Sequence, residues 1–179
     1  MLAVVGILLV LGGFSVANLM PAIRNSRVEA ALQTLHMQTR RARQLAIDER
    51  RVYILSLNAP GTIQIQRVEL DGTVTAISQV DLPADINFQA EPGIPTSPAE
   101  TPDGFGTGAY AVDFNGSNQA FFQADGSAED ALGRIVNGVV YIARPGEVTS
   151  SRAITIFGTT GRLKSWKLAE RADDTYYWR

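Results

Sequence analysis

The sequence predicts an α+β protein: one long N-terminal helix, apolar over its first half and amphipathic over its second, followed by a mostly antiparallel β-sheet domain. Three observations lead there. Residues 1–23 contain no charged side chain. Residues 24–51 place apolar side chains three and four apart, the period of one helix face. From residue 52 onward, short runs alternate polar and apolar side chains and are separated by turns rich in Gly, Asn and Pro.

The uncharged run comes first. As a helix rising about 1.5 Å per residue it is roughly 35 Å long, enough for a hydrocarbon core of about 30 Å. Gly6, Gly12, Gly13 and Pro21 interrupt it. They weaken a helix in water but are tolerated in membrane helices. Residues 1–23 therefore read as a membrane-spanning segment. A cleaved secretory signal is the competing reading: Ser15-Val16-Ala17 resembles a small-x-small cleavage site, although no basic stretch precedes the apolar run.

In residues 24–51, Val28, Ala31, Leu32, Leu35, Ala42, Leu45 and Ala46 form the apolar stripe, diluted at Gln38 and Thr39. Apart from Pro21, no breaker occurs before Asn58-Ala59-Pro60-Gly61. The two segments then make one helix of about 50 residues, roughly 75 Å long. Pro21 lacks a backbone donor and crowds the preceding turn, so a kink or local unwinding is expected there. Asn25 or Ser26 would cap the restart, and Glu29 would complete a capping box with Ser26.

Residues 52–179 form the β-rich domain. Val52–Leu57 is a short strand. Thr62–Leu70 and Thr73–Leu82 flank Asp71-Gly72, a strong hairpin signal. Ile86–Gln89 is a weak strand. Tyr110–Phe114 and Gln119–Gln123 are expected to pair across Asn115-Gly116-Ser117-Asn118. Ile135–Arg144 contains Asn137-Gly138, a bulge or a second turn. Arg152–Phe157 and Arg162–Leu168 flank Gly158-Thr159-Thr160-Gly161, and Tyr176–Trp178 adds a terminal edge. Residues 91–108, with four prolines and four glycines, predict a long mobile surface loop. These short strands after one long helix make an α+β arrangement with a mostly antiparallel sheet.

Composition narrows the chemistry. The chain has 179 residues, 16 Lys+Arg, 18 Asp+Glu and no cysteine. This excludes disulfides, thiolate nucleophiles and Cys-based metal sites, and argues against a globally basic nucleic-acid wrapper. One histidine, His36, gives no basis for a His-dependent triad or a multi-His metal site. It falls beside Leu35 on the amphipathic helix, where a solvated or partner-facing role is expected. Asp103, Asp113, Asp125, Asp130, Asp173 and Asp174 lie in turns, where aspartate serves turn chemistry. Asp125–Asp130 lacks the ligand spacing of a calcium loop. Ser56, Ser150 and Ser151 have no base nearby in sequence, and Gly104-Phe105-Gly106-Thr107-Gly108 lacks the lysine and helix of a phosphate loop. The expectation is a protein that is not an enzyme and carries no cofactor or metal.

Two basic groups remain. Arg40, Arg41, Arg43, Arg50 and Arg51 crowd the end of the helix and read as a solvated face pairing with Asp48 and Glu49. The second group is Arg162, Lys164, Lys167 and Arg171. Alternation puts Arg162, Lys164 and Trp166 on one face of their strand. Cations interleaved with aromatics suit contact with a nucleic-acid backbone; a solvated strand face with aromatics packing an edge is the competing and favoured reading.

Three segments carry a family resemblance. Ala42-Arg43-Gln44-Leu45-Ala46-Ile47, leading into the first strand, resembles the helix end of the minor pseudopilin GspH/FimT family of type IV pilin-like proteins. Phe121–Asp130 (FFQADGSAED) resembles its Phe-x-x-x-Gly segment. Ile154–Leu168 (ITIFGTTGRLKSWKL) resembles its closing strand, Thr-Gly-Arg turn and strand. The order of the three covers nearly the whole chain.

The resemblance implies a pilin fold and a structural subunit of a type II secretion pseudopilus or type IV pilus. It implies a single-pass inner-membrane protein with a periplasmic C-terminal domain, which later joins an extracytoplasmic filament. Partners would be other pilin or pseudopilin subunits, packed through the N-terminal helix at Gly6, Gly12, Gly13, Ala17 and Pro21, where small residues permit close approach. Some relatives take up DNA through Gly-Arg-x-Arg; here Gly161-Arg162-Leu163-Lys164 replaces the second arginine, making DNA uptake the alternative. A soluble secreted binding domain is the remote alternative. The family's mature chain opens on a Phe-Thr-Leu-Ile-Glu head behind a basic leader ending in Gly. This sequence opens on Met1-Leu2-Ala3, so a leader upstream, processed by prepilin peptidase with methylation of the new first residue, is an expectation.

The uncharged run makes a direct prediction. The full chain should fractionate with membranes and require detergent for extraction. Recovery of a wholly soluble protein beginning at Asn18 would establish signal cleavage instead.

Overall fold

The computed structural model describes the backbone of residues 2–179 and the side chains of residues 20–179. Helix α1 spans Leu2–Glu49 and is unbroken at Pro21 and at Ser26. The expected local unwinding and capped restart are therefore absent. Residues 20–27 are exposed, so the Pro21 ring lies on an open part of the helix. Glu29 does not complete a capping box but reaches across to Arg152, as described below. The helix ends where Arg50 adopts a left-handed conformation (φ 51°) and the Arg51 amide donates to the Ala46 carbonyl at 3.2 Å. This is a Schellman-type closure made without the usual glycine.

One stripe of α1 is buried: Val28, Ala31, Leu35, Thr39, Ala42 and Ala46, each 1% exposed or less. Leu32 and Leu45 flank it, half-buried. Thr39 belongs to the stripe rather than diluting it, because its hydroxyl donates to the Leu35 carbonyl at 2.8 Å and so is satisfied within the helix. The three alanines let the sheets approach the helix axis closely.

Eleven strands follow, more than the sequence suggests, in two antiparallel sheets. The first has the order β3-β2-β1-β6-β7, from β1 (Tyr53–Asn58), β2 (Thr62–Val68), β3 (Val74–Asp81), β6 (Gln119–Phe122) and β7 (Ala128–Glu129). The second has the order β11-β10-β9-β8-β4, from β4 (Asn87–Phe88), β8 (Gly138–Ala143), β9 (Arg152–Phe157), β10 (Arg162–Glu170) and β11 (Tyr176–Trp178). Strand β5 (Val112–Asp113) also pairs with β8. The hairpins at Asp71-Gly72 and Gly158–Gly161 form as expected.

The expected pairing of Tyr110–Phe114 with Gln119–Gln123 does not form. The turn between them does: Phe114 and Ser117 exchange backbone bonds of 3.0 and 3.3 Å around Asn115-Gly116. Beyond that one pair the strands part, β5 to β8 and β6 to β1. Phe114 explains the divergence. It is fully buried against Gly138, where an added Cβ would lie 2.1 Å from the ring. Asn137-Gly138 is accordingly neither bulge nor turn but the start of β8, and Asn137 Oδ1 accepts from the Gly158 amide at 2.8 Å.

Helix α1 packs on β1, β2 and β6 of one sheet and on β8, β9 and β10 of the other, so the main core is shared by all three layers. A second cluster covers the outer face of the second sheet, where Ile94 joins Val139, Tyr141, Ala153, Leu168 and Trp178 and Phe105 packs against them. Segment 91–108 thus lies against this sheet.

Two polar ties fix the upper end of the stripe. Arg152, the largest fully buried side chain, donates from Nε to Glu29 Oε1 at 2.9 Å and from Nη1 to the carbonyls of Ser151 and Thr149 at 3.0 and 3.3 Å. Asp85 receives Arg144 and lies 3.5 Å from Arg27 on the helix. Burial works to raise the Asp85 carboxyl, yet the Arg144 hydrogen bond and the charges of Arg144 and Arg27 hold it below its ordinary value. Removing the carboxylate by Glu29→Ala strands a buried guanidinium. We expect a loss of about 1–3 kcal/mol in urea unfolding, tempered because Glu29 itself is half exposed.

Candidate functional site

The packing stripe proposed for the N-terminal run falls mostly on residues whose side chains are not described: Gly6, Gly12, Gly13 and Ala17 lie outside them. Pro21 is described and exposed on α1. Among the described residues no helix is long and apolar enough to cross a membrane.

The structure separates the four candidate cations of the hairpin and tail. Arg162 and Lys164 share a face of β10, as alternation requires. Lys164 is engaged there: its Nζ lies 3.1 Å from Asp103 Oδ1 and 3.6 Å from the centre of the Trp166 ring. Asp103 arrives on segment 91–108 and also accepts from Thr155 Oγ1 at 2.5 Å. Thr155 in turn accepts from Trp166 Nε1 at 3.2 Å. Alternation turns Lys167 to the opposite face. Arg171 lies beyond the strand, over the Tyr177 ring at 5.1 Å.

Arg162, the first residue of β10 beside the β9–β10 turn, borders the helix. With Arg40, Arg41 and Arg43 it lines a groove of about 590 Å³ between α1 and the β9–β10 hairpin, completed by Met37, Gln44, Gly161 and Leu163. A recess of about 480 Å³, lined by Arg43, Phe157, Thr160 and Arg162, adjoins it. Arg162 lies over the Phe157 ring at 4.9 Å. One member of the hairpin group thus joins three members of the helix group, more than a hundred residues away in sequence.

Arg43 is the fixed member of the four. Its Nε donates to the Gly126 carbonyl at 3.1 Å. Two glycines make room for it. At Gly161 (φ 60°) an added Cβ would lie 2.2 Å from the Gly126 oxygen and 2.5 Å from Arg43 Nε; at Gly126 (φ 84°) one would lie 3.0 Å from Arg43 Nη2. This locks the helix to both the β6–β7 turn and the β9–β10 turn. Arg43 reads as a solvated side chain in the sequence because its partner is a backbone carbonyl 83 positions away, which leaves no local signal.

The other helix-end charges do not pair as expected. Asp48 accepts from Gln44 at 2.7 Å. Glu49 pairs with Arg67 of β2 at 3.0 Å, and Arg51 lies 3.5 Å from Glu69. His36, half-buried, is held below its usual value by burial first and then by the charge of Arg40 one turn on.

The acidic turns carry structure. Asp125 accepts from the Ser127 amide and hydroxyl at 2.8 and 2.6 Å, the bonding of an Asx turn. Asp130, buried, is held well below the carboxylate range by the Arg134 hydrogen bond, with the amides of Arg134 and Leu132 assisting. Among the described residues no three His, Asp or Glu side chains cluster to hold a metal.

No protein-family model and no curated protein sequence matches the chain. Solved structures do. The type IV minor pilin FimU of Pseudomonas aeruginosa superimposes with a TM-score of 0.52 at 16% identity, over 78% of this chain and 87% of that one. The minor pseudopilin EpsH of the Vibrio cholerae type 2 secretion system gives 0.53 at 10% identity, over 79% and 97%. The chain therefore has a type IV pilin-like fold, a long helix laid across antiparallel sheets, as the sequence resemblance implied.

The Arg43 lock is testable through its glycines. Gly161→Ala combines a left-handed conformation with a backbone clash and should cost about 2–4 kcal/mol in denaturant unfolding. Gly72→Ala, equally left-handed (φ 83°) but in open space, should cost only about 1 kcal/mol.

Proposed function

We propose that this chain is a structural subunit, not an enzyme, of a type IV pilus or a type II secretion pseudopilus. The observation that carries the reading is the projecting helix. Residues 20–26 of α1 are exposed on every side, and contact with the body begins at Arg27, whose guanidinium lies 3.5 Å from Asp85, and at Val28. The helix is continuous back to Leu2, toward the uncharged run. A rod that leaves its own domain bare needs a partner along its length, and the uncharged sequence suits lipid before assembly and neighbouring helices after it.

On this reading residues 1–23 hold the subunit in the bacterial inner membrane with the β domain in the periplasm. Gly6, Gly12, Gly13 and Ala17 then form the close contacts of the filament core. The minor pilin and minor pseudopilin with the same fold support the role. Prepilin peptidase would be a partner only where a leader precedes this sequence.

The alternative of DNA uptake draws less from the geometry. Lys164 is neutralised by Asp103, Lys167 lies on the opposite face and Arg171 lies on Tyr177, so the four cations do not form one surface.

Replacing Gly12 and Gly13 together by Leu tests the filament role. Leucine adds hydrophobicity and blocks close helix approach, so membrane insertion should persist while incorporation into purified filaments falls about tenfold or more. Equal incorporation of variant and parent would show that this face is not a packing surface.

A further inference from the structure

The groove between α1 and the β9–β10 hairpin has an unusual charge balance. Four of its eight lining residues are arginines and none is acidic. Among the described residues, Arg40, Arg41, Arg43 and Arg162 take part in no ion pair, although nine other pairs form elsewhere on the body. Gathering like charges without a counterion works against folding. It is also built in: Arg43 is immobilised by the Gly126 carbonyl and by the space two glycines leave, and Arg162 is steadied over Phe157. A guanidinium already held in place loses little freedom when it meets an anion.

We propose that this groove is a docking site for an acidic, partly apolar peptide segment of another protein. The charge calls for an anion, and the guanidinium fork matches a carboxylate in two-point contact. The remaining lining chooses between classes of anion. Met37 is 61% exposed at the groove, and half-buried Leu163 joins it there. These are anchors for aliphatic side chains, and methionine adapts to varied shapes. Single-stranded nucleic acid is held through aromatic faces on which bases stack. No aromatic residue lines the groove, and the one ring of the adjoining recess, Phe157, is covered by Arg162. A segment with two or more carboxylates around an aliphatic residue satisfies both parts of the lining. The site does not rest on the filament role, since it is built entirely by the folded body and the helix stripe packed on it.

The test uses the full chain in non-ionic detergent and a fluorescent peptide alternating Glu, Leu and Ser, with its Glu→Gln counterpart and single-stranded oligothymidylate as competitors. The acidic peptide should bind and weaken as salt rises, and the Gln counterpart should not bind. The variant Arg40→Gln/Arg41→Gln, at two exposed positions, and the variant Arg162→Gln should each weaken binding by about tenfold or more with unchanged thermal unfolding. Arg24→Gln, on the helix but outside the groove, should leave it unchanged. Three results would overturn the proposal: equal binding of the neutral peptide, no loss in the groove variants, or displacement of the peptide by oligothymidylate at lower concentrations than by the unlabelled acidic peptide. The last would make the groove a nucleic-acid site.

Discussion

Everything in the body hangs on one stripe of helix. Val28, Ala31, Leu35, Thr39, Ala42 and Ala46 face both sheets at once, and the main core is continuous only because that stripe fills the seam between them. The small residues matter as much as the apolar ones. Alanine at three of six positions brings strands to the helix backbone, and a larger side chain there would wedge the sheets apart. The polar ties then fix what hydrophobic contact leaves free. Burial of a stripe resists separation but only weakly resists sliding along the helix axis. Glu29 with Arg152 at one end, and Arg43 with the Gly126 carbonyl at the other, set the position of the helix along its groove.

The same arrangement creates the arginine groove. A helix that runs in a seam presents its flanking residues to whichever hairpin borders the seam. Arg40 and Arg41 lie beside the buried Thr39 and Ala42, and the β9–β10 turn closes against Arg43. The juxtaposition of helix and hairpin cations is therefore a by-product of how the core closes, and the charge it concentrates distinguishes this surface from the rest of a mildly acidic protein.

What the sequence reveals follows the range of the interactions that decide each feature. The helix stripe, the Asp71-Gly72 hairpin and the Gly158–Gly161 hairpin are specified within a few residues, and all three are legible. The destinations of β5 and β6 are not. Their turn is written locally at Asn115-Gly116, but the parting of the strands depends on Phe114 filling the space at Gly138. Arg152 shows the same limit. It reads as the polar start of an apolar strand, and only the fold shows that Glu29, 123 positions earlier, is its counterion. The site was half visible. Both basic groups stand out in the sequence, but the meeting of Arg162 with Arg40, Arg41 and Arg43 depends on how the helix packs beside the β9–β10 hairpin, and the engagement of Lys164 by Asp103 depends on a proline-rich segment whose docking has no periodicity to announce it.

The unbroken passage of α1 through Pro21 has a geometric consequence. In a helix each residue advances the direction of its side chain by about 100°. With no hinge between the exposed stretch at residues 20–27 and the stripe that begins at Val28, the body is keyed to the rod like a blade to a shaft. The bearing of the arginine groove around that shaft is then set by the count of residues along it. An insertion of one residue in that stretch would swing the whole body about a quarter turn while leaving every contact inside it intact, so the spacing itself is a coordinate of the assembly.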